Sequence, residues 1–417
     1  MMFAEITGAA LISIAIIFGN AAGVGGAGVI VPVLLLIYSL EILQASALSN
    51  FLIFIGFALR YYFNYKERHP KKNKPVIDYD TISLMLPASL LGTKFGVIIH
   101  DIFPRSVLFI LLSITLLYLA YCSYARGNKL AAAERMKIIE PEVKATPMLT
   151  LERMSDDEFV PTGRASVLDK QRALEIEAEE AKPIPPKKIF LILVLFAFMM
   201  ISVIIEGSKG LPSLVGVELC SGGYWLSFAS FIAICAIIVV INARDISFLA
   251  TEKRLLGIKL TKDDVDWTWQ KIMKYSIYGT IAGILSAIFG IGGGMILSPV
   301  LLQLEMEPEV VAATGALFVL FTTASSTFIL MYEGYLITSY AIALGTVSIL
   351  SSLLSIWLVT GFIKRHGRSS LVVYIMAIII GVSAIVLTSV GFYQDYKYYG
   401  TIFSSVTWSF HNFCKVK

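Results

Sequence analysis

Charged residues are scarce in this sequence, since Asp, Glu, Lys and Arg make up only 15% of its 417 residues. A soluble domain carries roughly 25% charged residues, so the composition excludes a cytosolic enzyme of two or three domains. The 34 basic and 30 acidic residues nearly balance, which argues against a nucleic-acid partner. Hydrophobic residues instead reach 57% of the chain, and we expect a membrane protein.

Cysteine and histidine are also rare, with four residues of each. The cysteines show no CxxC or Cys/His spacing, which excludes a zinc or disulfide framework and predicts isolated thiols. The histidines lie at loops or segment ends, without an HExxH motif, and no GxSxG motif is present. We therefore expect no enzyme, no metal site and no cofactor.

Ten apolar runs approach the roughly 20 residues that cross a bilayer as a helix. Their approximate limits are 8–38, 43–63, 80–99, 105–124, 188–205, 224–242, 273–303, 310–332, 336–363 and 371–393. A helix satisfies its own backbone hydrogen bonds in hydrocarbon, and no alternation typical of barrel strands recurs. The sequence predicts an all-α polytopic membrane protein.

The runs and the hydrophilic stretches between them predict six consecutive parts. These are a first transmembrane repeat (1–125), a hydrophilic cytosolic insert (126–187), two additional transmembrane helices (188–243), a hydrophilic loop (244–272), a second transmembrane repeat (273–395) and a C-terminal tail (396–417). Within the insert, a helix is expected to begin after Ser166 and to end before the prolines at 183–186. The insert is either a solvated linker or a docking element.

Two stretches of the chain resemble each other. GVGGAGVIVPVLLL at 23–36 and GIGGGMILSPVLLQ at 290–303 are identical at 7 of 14 positions. Each stretch begins a set of about four apolar runs, whereas the runs at 188–205 and 224–242 have no counterpart. Internal repeats of this kind are typical of secondary transporters, whose halves move around a shared central site.

The glycines of these stretches are expected to interrupt their helices, because glycine costs about 1 kcal/mol relative to alanine inside a helix. They are Gly23, Gly25, Gly26 and Gly28 in the first stretch and Gly290, Gly292, Gly293 and Gly294 in the second. Amides freed at such a break, with the positive end of the following helix, can bind an anion without a charged side chain. Two alternatives are close helix packing through small residues and a dinucleotide-binding motif, which has no soluble strand and helix around it here.

Polar side chains within apolar runs are costly and are therefore candidates for substrate contacts. We select Asn20, Ser46 and Asn50 beside the first glycine stretch and Thr314 beside the second. Amides and hydroxyls can donate hydrogen bonds to anion oxygens, although the same groups also join neighbouring helices.

Two basic residues lie within or at the end of apolar runs. Lys94 is a candidate to attract the anion, or alternatively extends its ammonium group to the membrane interface. Arg60, at the end of its run, is expected to anchor a helix at that interface.

Both glycine stretches, with the following LQASALSNFLIF and VVAATGALFVLF, resemble the signature of the TauE/SafE sulfite exporter family, also called the sulfonate uptake permeases. The segment RHPKKNKPVIDYD, followed by an apolar run and a long hydrophilic insert, is most similar to the eukaryotic branch. The resemblance implies secondary transport of small sulfur oxyanions or organosulfonates.

The orientation of the repeats depends on the basic loops at 64–79, 244–271 and 363–369. Basic loops favour the cytoplasmic side, but single crossings by all ten runs would put the third loop opposite the first two. If 8–38 and 273–303 are instead re-entrant hairpins that bend at their glycines, the three loops share a side and the repeats become inverted. Full spans in parallel repeats remain the alternative.

The sequence therefore predicts a secondary transporter for a small anion, sulfite or an organosulfonate, working by alternating access around paired glycine breaks. The rival is a non-transporting subunit that acts as a scaffold in a larger membrane complex, and a channel ranks third. The expected partners are a small inorganic or organic anion and the lipid bilayer, with a homo-oligomer or a membrane complex also open.

Overall fold

A computed structural model describes residues 2–69, 74–143, 167–207, 213, 215–218, 220–257, 265, 267–289, 293–304, 306–361 and 370–399. The described chain forms thirteen α-helices: α1 Met2–Ala22, α2 Ala27–Leu36, α3 Ile42–Asn64, α4 Tyr79–Ile102, α5 Arg105–Val143, α6 Val167–Glu180, α7 Pro186–Glu206, α8 Gly222–Leu255, α9 Trp269–Phe289, α10 Gly294–Gln303, α11 Pro308–Tyr332, α12 Thr338–Leu354 and α13 Ser370–Tyr399. A π-helical turn, Ser355–Thr360, extends α12.

Nine of the helices in the described part are long and apolar enough to cross a membrane: α1, α3, α4, α5, α7, α8, α11, α12 and α13. The prediction of an all-α polytopic membrane protein is confirmed. The predicted runs 8–38 and 273–303 each divide into a long helix and a ten-residue helix, α2 or α10. Ten residues of helix span only about 15 Å, half the thickness of the hydrocarbon core.

Helix starts follow ordinary capping signals. Asp78 caps α4, because its side chain accepts hydrogen bonds from the amides of Asp80 and Thr81, and Ser221 caps α8 in the same way. Pro186 and Pro308 occupy the first turns of α7 and α11, where a proline leaves no helical hydrogen bond unmade.

Two hydrophilic parts begin later than the sequence indicated. Helix α5 continues through Val143, well into the predicted insert, and α8 continues to Leu255, into the predicted loop. Both extensions are rich in Ala, Arg, Lys and Glu, which favour helix whether or not lipid surrounds them. The helix predicted inside the insert is present as α6, and it ends before the proline cluster. Residues 144–166 and 400–417, parts of the insert and of the tail, lie outside the described residues.

Helices α1 and α2 form the first hairpin. The hydroxyl of Tyr38, just after α2, donates a 2.8 Å hydrogen bond to the carbonyl oxygen of Glu5 in the first turns of α1. The other end of α1 lies beside Arg60 near the end of α3, where the Arg60 guanidinium donates to the Ala21 carbonyl oxygen. We call the end of the bundle where α3 ends and α4 begins the basic end, because Lys66, Arg68 and Lys74 lie there.

Helices α9 and α10 form a second hairpin that opens the opposite way. Near the end of α9 the Ile288 carbonyl oxygen lies 2.6 Å from His100 Nδ1, in the last turn of α4 and away from the basic end. After α10 the chain is back at the basic end, where Glu307 lies 3.7 Å from His69. The two hairpins therefore open at opposite ends of the bundle, as the re-entrant topology predicted.

The packing of the helices follows the same inversion. Helix α3 packs against α11, and α5 packs against α13. Helix α4 packs on α9 in the same way as α12 packs on α1. Likewise, α2 packs on α13 and α10 packs on α5. Each of these contacts has its counterpart with the two sets of helices exchanged, which is the pattern expected of inverted repeats.

One expectation about the cysteines is wrong. Cys122 and Cys235 are free thiols, but Cys220, in the connection between α7 and α8, is disulfide-bonded. Spacing could not indicate this, because a disulfide depends on which loops meet in space.

Candidate functional site

The tips of the two hairpins meet inside the bundle. The hydroxyl of Ser298 in α10 donates a 2.9 Å hydrogen bond to the carbonyl oxygen of Gly23. A Cβ atom added to Gly294 would lie 3.0 Å from the Val24 carbonyl oxygen. A Cβ added to Gly28 would lie 2.9 Å from the end of the Met295 side chain. The first turns of α2 and α10 therefore lie side by side, and both face the centre of the molecule.

The first tip requires glycine for two reasons. Gly23, Gly25 and Gly26 have φ values of +71°, +96° and +73°, in the left-handed region that other residues rarely adopt. A Cβ on Gly23 would also lie 2.5 Å from the carbonyl oxygen of Ala312 in α11. The predicted break in the first helix is confirmed at these three residues, but the prediction was wrong for Gly28, which lies in the first turn of α2.

The amides at this tip divide into two groups. Those of Gly23, Val24 and Gly25 donate to the carbonyl oxygens of Asn20 and Gly19, at 3.0–3.3 Å, and close the end of α1. The next three amides, those of residues 26–28, begin α2 and have no acceptor among the described residues, as is usual at a helix start. Free donors at the first tip therefore lie one turn later than the sequence suggested.

The second tip is described in part. Gly293 and Gly294 lie at the start of α10, but Gly290 and Gly292 lie outside the described residues. The amides of residues 294–296 also have no acceptor among the described residues. Gly294 must be small, since a Cβ there would lie 2.0 Å from a methyl group of Val319.

Ser383 of α13 lies against the first turn of α2. It is completely buried, and its hydroxyl has no hydrogen-bond partner among the residues that the structure describes. A Cβ on Gly28 would lie 2.5 Å from the Ser383 hydroxyl oxygen. A buried hydroxyl without a partner is unfavourable and uncommon. Here it lies next to free backbone donors and the positive end of a helix, so the three features together can hold an anion.

The polar residues predicted from the sequence are placed in different ways. The Asn20 amide donates to the Ser352 hydroxyl at 2.7 Å, which ties the first hairpin to α12. The Asn50 amide donates to the Ser46 carbonyl oxygen one turn earlier in α3. Thr314 is fully buried, and its hydroxyl accepts a 3.0 Å hydrogen bond from the Asp78 amide.

Lys94 forms an ion pair that the sequence did not indicate. Its ammonium group is 2.5 Å from Glu206 Oε2 at the end of α7 and 5.0 Å from the centre of the Phe231 ring in α8. The second Glu206 oxygen accepts a hydrogen bond from the Ser227 hydroxyl. The charge of Lys94 is therefore already matched, in a contact that joins α4 to the two additional helices, and Glu206 was not anticipated as its partner.

Arg60 is not an exposed interfacial anchor. The residue is only 4% exposed, because the tip of the first hairpin packs over it. It lines a small cavity of about 50 Å³ between the ends of α1 and α3 and the starts of α11 and α13.

A larger cavity, of about 520 Å³, lies at the basic end between α4, α8 and the insert helix α6. Asp78, Ser83 and Asn242 line its inner part, and the Asp78 amide is the one that donates to Thr314. Helix α6 covers the cavity and is held by polar contacts, among them Arg172 with Glu252 at 2.7 Å. Helix α6 therefore packs against α8, and a docking function of the insert stays a prediction.

Two features of the site were missed in the sequence. Ser383 carries the same signal as the selected residues, a hydroxyl in an apolar run, but Thr388 and Ser389 of the same run carry it equally. Ser352 was likewise one of several serines in its run. Only the packing of α12 and α13 against the first hairpin distinguishes them.

Comparison with known proteins matched one family to two successive parts of the chain. A family model described as "Sulfite exporter TauE/SafE" matches residues 8–199 and again residues 188–387. The chain is 28% identical over 411 residues to Sulfite exporter TauE/SafE family protein 3 of Arabidopsis thaliana, with 95% of this chain and 80% of that protein covered. Family proteins 1 and 2 of the same plant are 26% and 25% identical over 385 and 377 residues, with 89% of this chain and 80% of each relative covered. No solved structure matches the chain.

Proposed function

The chain belongs to the sulfite exporter TauE/SafE family, as its glycine stretches indicated, and we propose that it carries a small anion, sulfite or an organosulfonate, across a membrane by alternating access. The anion binds between the hairpin tips, at the first amides of α2 and α10, those of residues 26–28 and 294–296, which have no acceptor within the described part of the chain. Family membership supports a membrane transporter, and the resemblance to plant relatives supports a eukaryotic-type member.

The observation that carries this proposal is the position of Ser383. Its hydroxyl, which has no partner in the described part of the chain, lies against the first turn of α2, where backbone donors can bind an anion without a cationic side chain. Hydroxyl and amide donors bind an oxyanion without the cost of an isolated buried charge. The inverted hairpins then give the anion one route from each end of the bundle.

The tips are tightly packed in this conformation, as the short distances at Gly28 and Gly294 indicate. An anion can therefore enter only after the hairpins move apart. The 520 Å³ cavity at the basic end approaches Thr314 through Asp78, and we assign it as the vestibule on that side.

The predicted contacts of Asn20, Ser46, Asn50 and Thr314 with the anion belong to this proposal, and their present hydrogen bonds would rearrange when it binds.

Counterflow in proteoliposomes tests the proposal. Vesicles loaded with unlabelled sulfite should take up external labelled sulfite transiently, with saturable kinetics, while sulfate and taurine as competitors define the preferred class of anion. Absence of counterflow for all three anions from correctly folded protein would contradict the proposal. Copurification with other membrane proteins at fixed stoichiometry would then favour the scaffold function, and flux that does not saturate would favour a channel.

A pair of variants in α13 tests the site itself. Ser383→Ala removes the hydroxyl beside Gly28 and should raise the KM for sulfite about tenfold, the effect of losing roughly 1.4 kcal/mol of binding free energy. Ser389→Ala is the matched control, because Ser389 is exposed and its hydroxyl donates only to Ile385 of its own helix. An unchanged KM in Ser383→Ala would exclude this hydroxyl from the binding site.

A further inference from the structure

We propose that the insert helix α6 is a removable cover, which closes the vestibule at the basic end and limits entry of the anion from that side. This inference rests on the proposed transport function and adds a means of regulating it. In the described part of the chain, α6 supplies one wall of the 520 Å³ cavity, and the ends of the membrane helices supply most of the rest.

One face of α6 is turned towards the cavity. Arg172, Ile176, Glu179 and Glu180 line it, and their spacing of three to four residues places them on the same side of a helix. Ile176 is 2% exposed, whereas Leu174, which does not line the cavity, is 66% exposed. The orientation of α6 over the cavity is therefore well defined.

The cavity beneath α6 reaches the proposed path of the anion. Its inner part is lined by Asp78, just before α4, and by Asn242 of α8. The Asp78 amide donates a 3.0 Å hydrogen bond to the Thr314 hydroxyl, and Thr314 is one of the predicted contacts of the anion. An anion that enters through this cavity therefore passes α6, and it enters more readily when α6 has moved away.

The contacts that hold α6 are mostly polar. Charges of both signs line the cavity because they pair across the contact: Arg172 pairs with Glu252 of α8 at 2.7 Å, and Glu180 pairs with Lys253. The Arg172 side chain is 49% exposed, and exposed ion pairs are weak because water and salt screen them. Ile176 is the single buried side chain that the structure describes in α6. Such contacts hold α6 in place but allow it to leave without unfolding of the bundle.

The connection from α6 to α7 acts as a hinge. It consists of residues 181–185 and contains Pro183 and Pro185, which prevent a continuous helix because proline lacks the amide hydrogen. A fully extended segment of this length spans at most about 18 Å. The released helix therefore stays within reach of the vestibule and can close it again.

Labelling of a cysteine in the cavity measures access directly. Leu249 of α8 is partly buried and lines the cavity, so Leu249→Cys is labelled with an impermeant maleimide in purified protein, and the protein without this change gives the blank. Adding Arg172→Glu, which places a carboxylate beside Glu252, should raise the labelling rate about fivefold or more, because the rate follows the fraction of open molecules. Adding both Arg172→Glu and Glu252→Arg should restore the slow rate. Glu175→Gln is the matched control and should not change it, since Glu175 contacts Arg172 within α6.

Counterflow in proteoliposomes then tests whether the cover regulates transport. If α6 limits entry, Arg172→Glu should raise the initial rate of sulfite counterflow about two- to fivefold, as expected when a moving segment sets the rate. The double variant with exchanged charges should reverse this gain. The order of preference among sulfite, sulfate and taurine should stay the same, because the hairpin tips and not α6 bind the anion.

The outcomes separate this inference from the proposed function. Faster labelling with an unchanged rate of counterflow overturns the regulation and leaves the proposed transport intact. If Arg172→Glu does not fold or leaves the labelling rate unchanged, Ile176→Asp decides the question, because it places a charge in the buried contact; no gain in labelling and counterflow in that variant overturns the inference. A wild type that transports none of the three anions overturns the proposed function and its regulation together.

Discussion

The hydroxyl of Ser298 in α10 donates a 2.9 Å hydrogen bond to the carbonyl oxygen of Gly23, and this contact joins the two hairpin tips. Both residues come from the duplicated glycine stretches, at non-equivalent positions. Ser298 is fully buried, so no water can replace it at the Gly23 carbonyl group. The contact holds the two tips together in this structure.

Ser298→Ala should destabilise this closed conformation. The Gly23 carbonyl oxygen would lose its side-chain donor in a dry site, which costs about 1–3 kcal/mol. We expect a lower temperature of unfolding and easier separation of the tips, measured as faster labelling of a cysteine placed at Val24. The control is Ser325→Ala, because the Ser325 hydroxyl donates only to Phe321 within its own helix. Equal labelling rates in the two variants would show that the contact does not restrain the tips.

Lys94 and Glu206 should behave as a structural ion pair. The exposed fractions of their side chains are 15% and 9%, and removal of one partner from a buried pair costs about 3–5 kcal/mol. Lys94→Met and Glu206→Gln should each lower the temperature of unfolding, whereas the double variant Lys94→Met/Glu206→Leu should recover most of the loss. Apolar replacement of both partners leaves no buried charge.

The same double variant tests whether Lys94 contacts the transported anion. A structural pair predicts wild-type KM and flux once stability is restored. Loss of saturable flux in a double variant of normal stability would instead place Lys94 in the transport path, as the sequence first suggested.

The first hairpin makes a direct prediction about membrane topology. Cysteines introduced at Glu5 and Ser39 should react with an impermeant reagent from the same side of the membrane, because both residues lie at the open end of the hairpin. A cysteine at Lys66, at the basic end, should react from the other side. If residues 8–38 crossed the membrane as a full span, the cysteines at Glu5 and Ser39 would be labelled from opposite sides.

Residue type and charge distribution predicted the glycine breaks and the inverted hairpins, because each depends on a local property of the chain. The left-handed φ at the break favours glycine at Gly23, and the basic loops favour inverted hairpins over full spans in parallel repeats. The position of Arg60 was mispredicted for a reason of another kind. Arg60 stands at the end of an apolar run, which is the pattern of an interfacial anchor. It is buried because the end of α1 packs over it, and the residues around Arg60 in the sequence do not indicate that contact. Ser383 depends in the same way on how α13 packs against α2.

The sequence also did not predict how far a helix continues outside the membrane. Where α5 passes from lipid-compatible residues into its polar extension, near Arg126, there is no capping residue or proline, so the composition changes but the helix continues. Glu134 in that extension accepts hydrogen bonds from both the amide and the hydroxyl of Ser370 at the start of α13. The polar end of α5 thus has a packing role that its composition alone does not indicate.

Docking of the insert helix α6 should depend on ion pairs. Arg172 Nε donates to Glu252 Oε1 at 2.7 Å, Lys253 pairs with Glu180, and the Arg68 guanidinium donates to the Ala181 carbonyl oxygen. The side chain of Ile176, in α6, is buried. Hydrogen bonds to Glu252, and then to Glu175, raise the pKa of Arg172, so the contact does not depend on its titration.

Charge reversal tests this docking. Arg172→Glu should release α6 and expose residues 167–185 to proteinase K, because it places two carboxylates together. Glu252→Arg should also release α6, because it places two guanidinium groups together. The double variant that exchanges the two charges should restore protection. Glu175→Gln is the control, since Glu175 contacts Arg172 within α6 and not across to α8. Salt of about 1 M should mimic the single reversals by screening exposed pairs. Protection that survives both Arg172→Glu and high salt would assign the docking to the apolar contact of Ile176 instead.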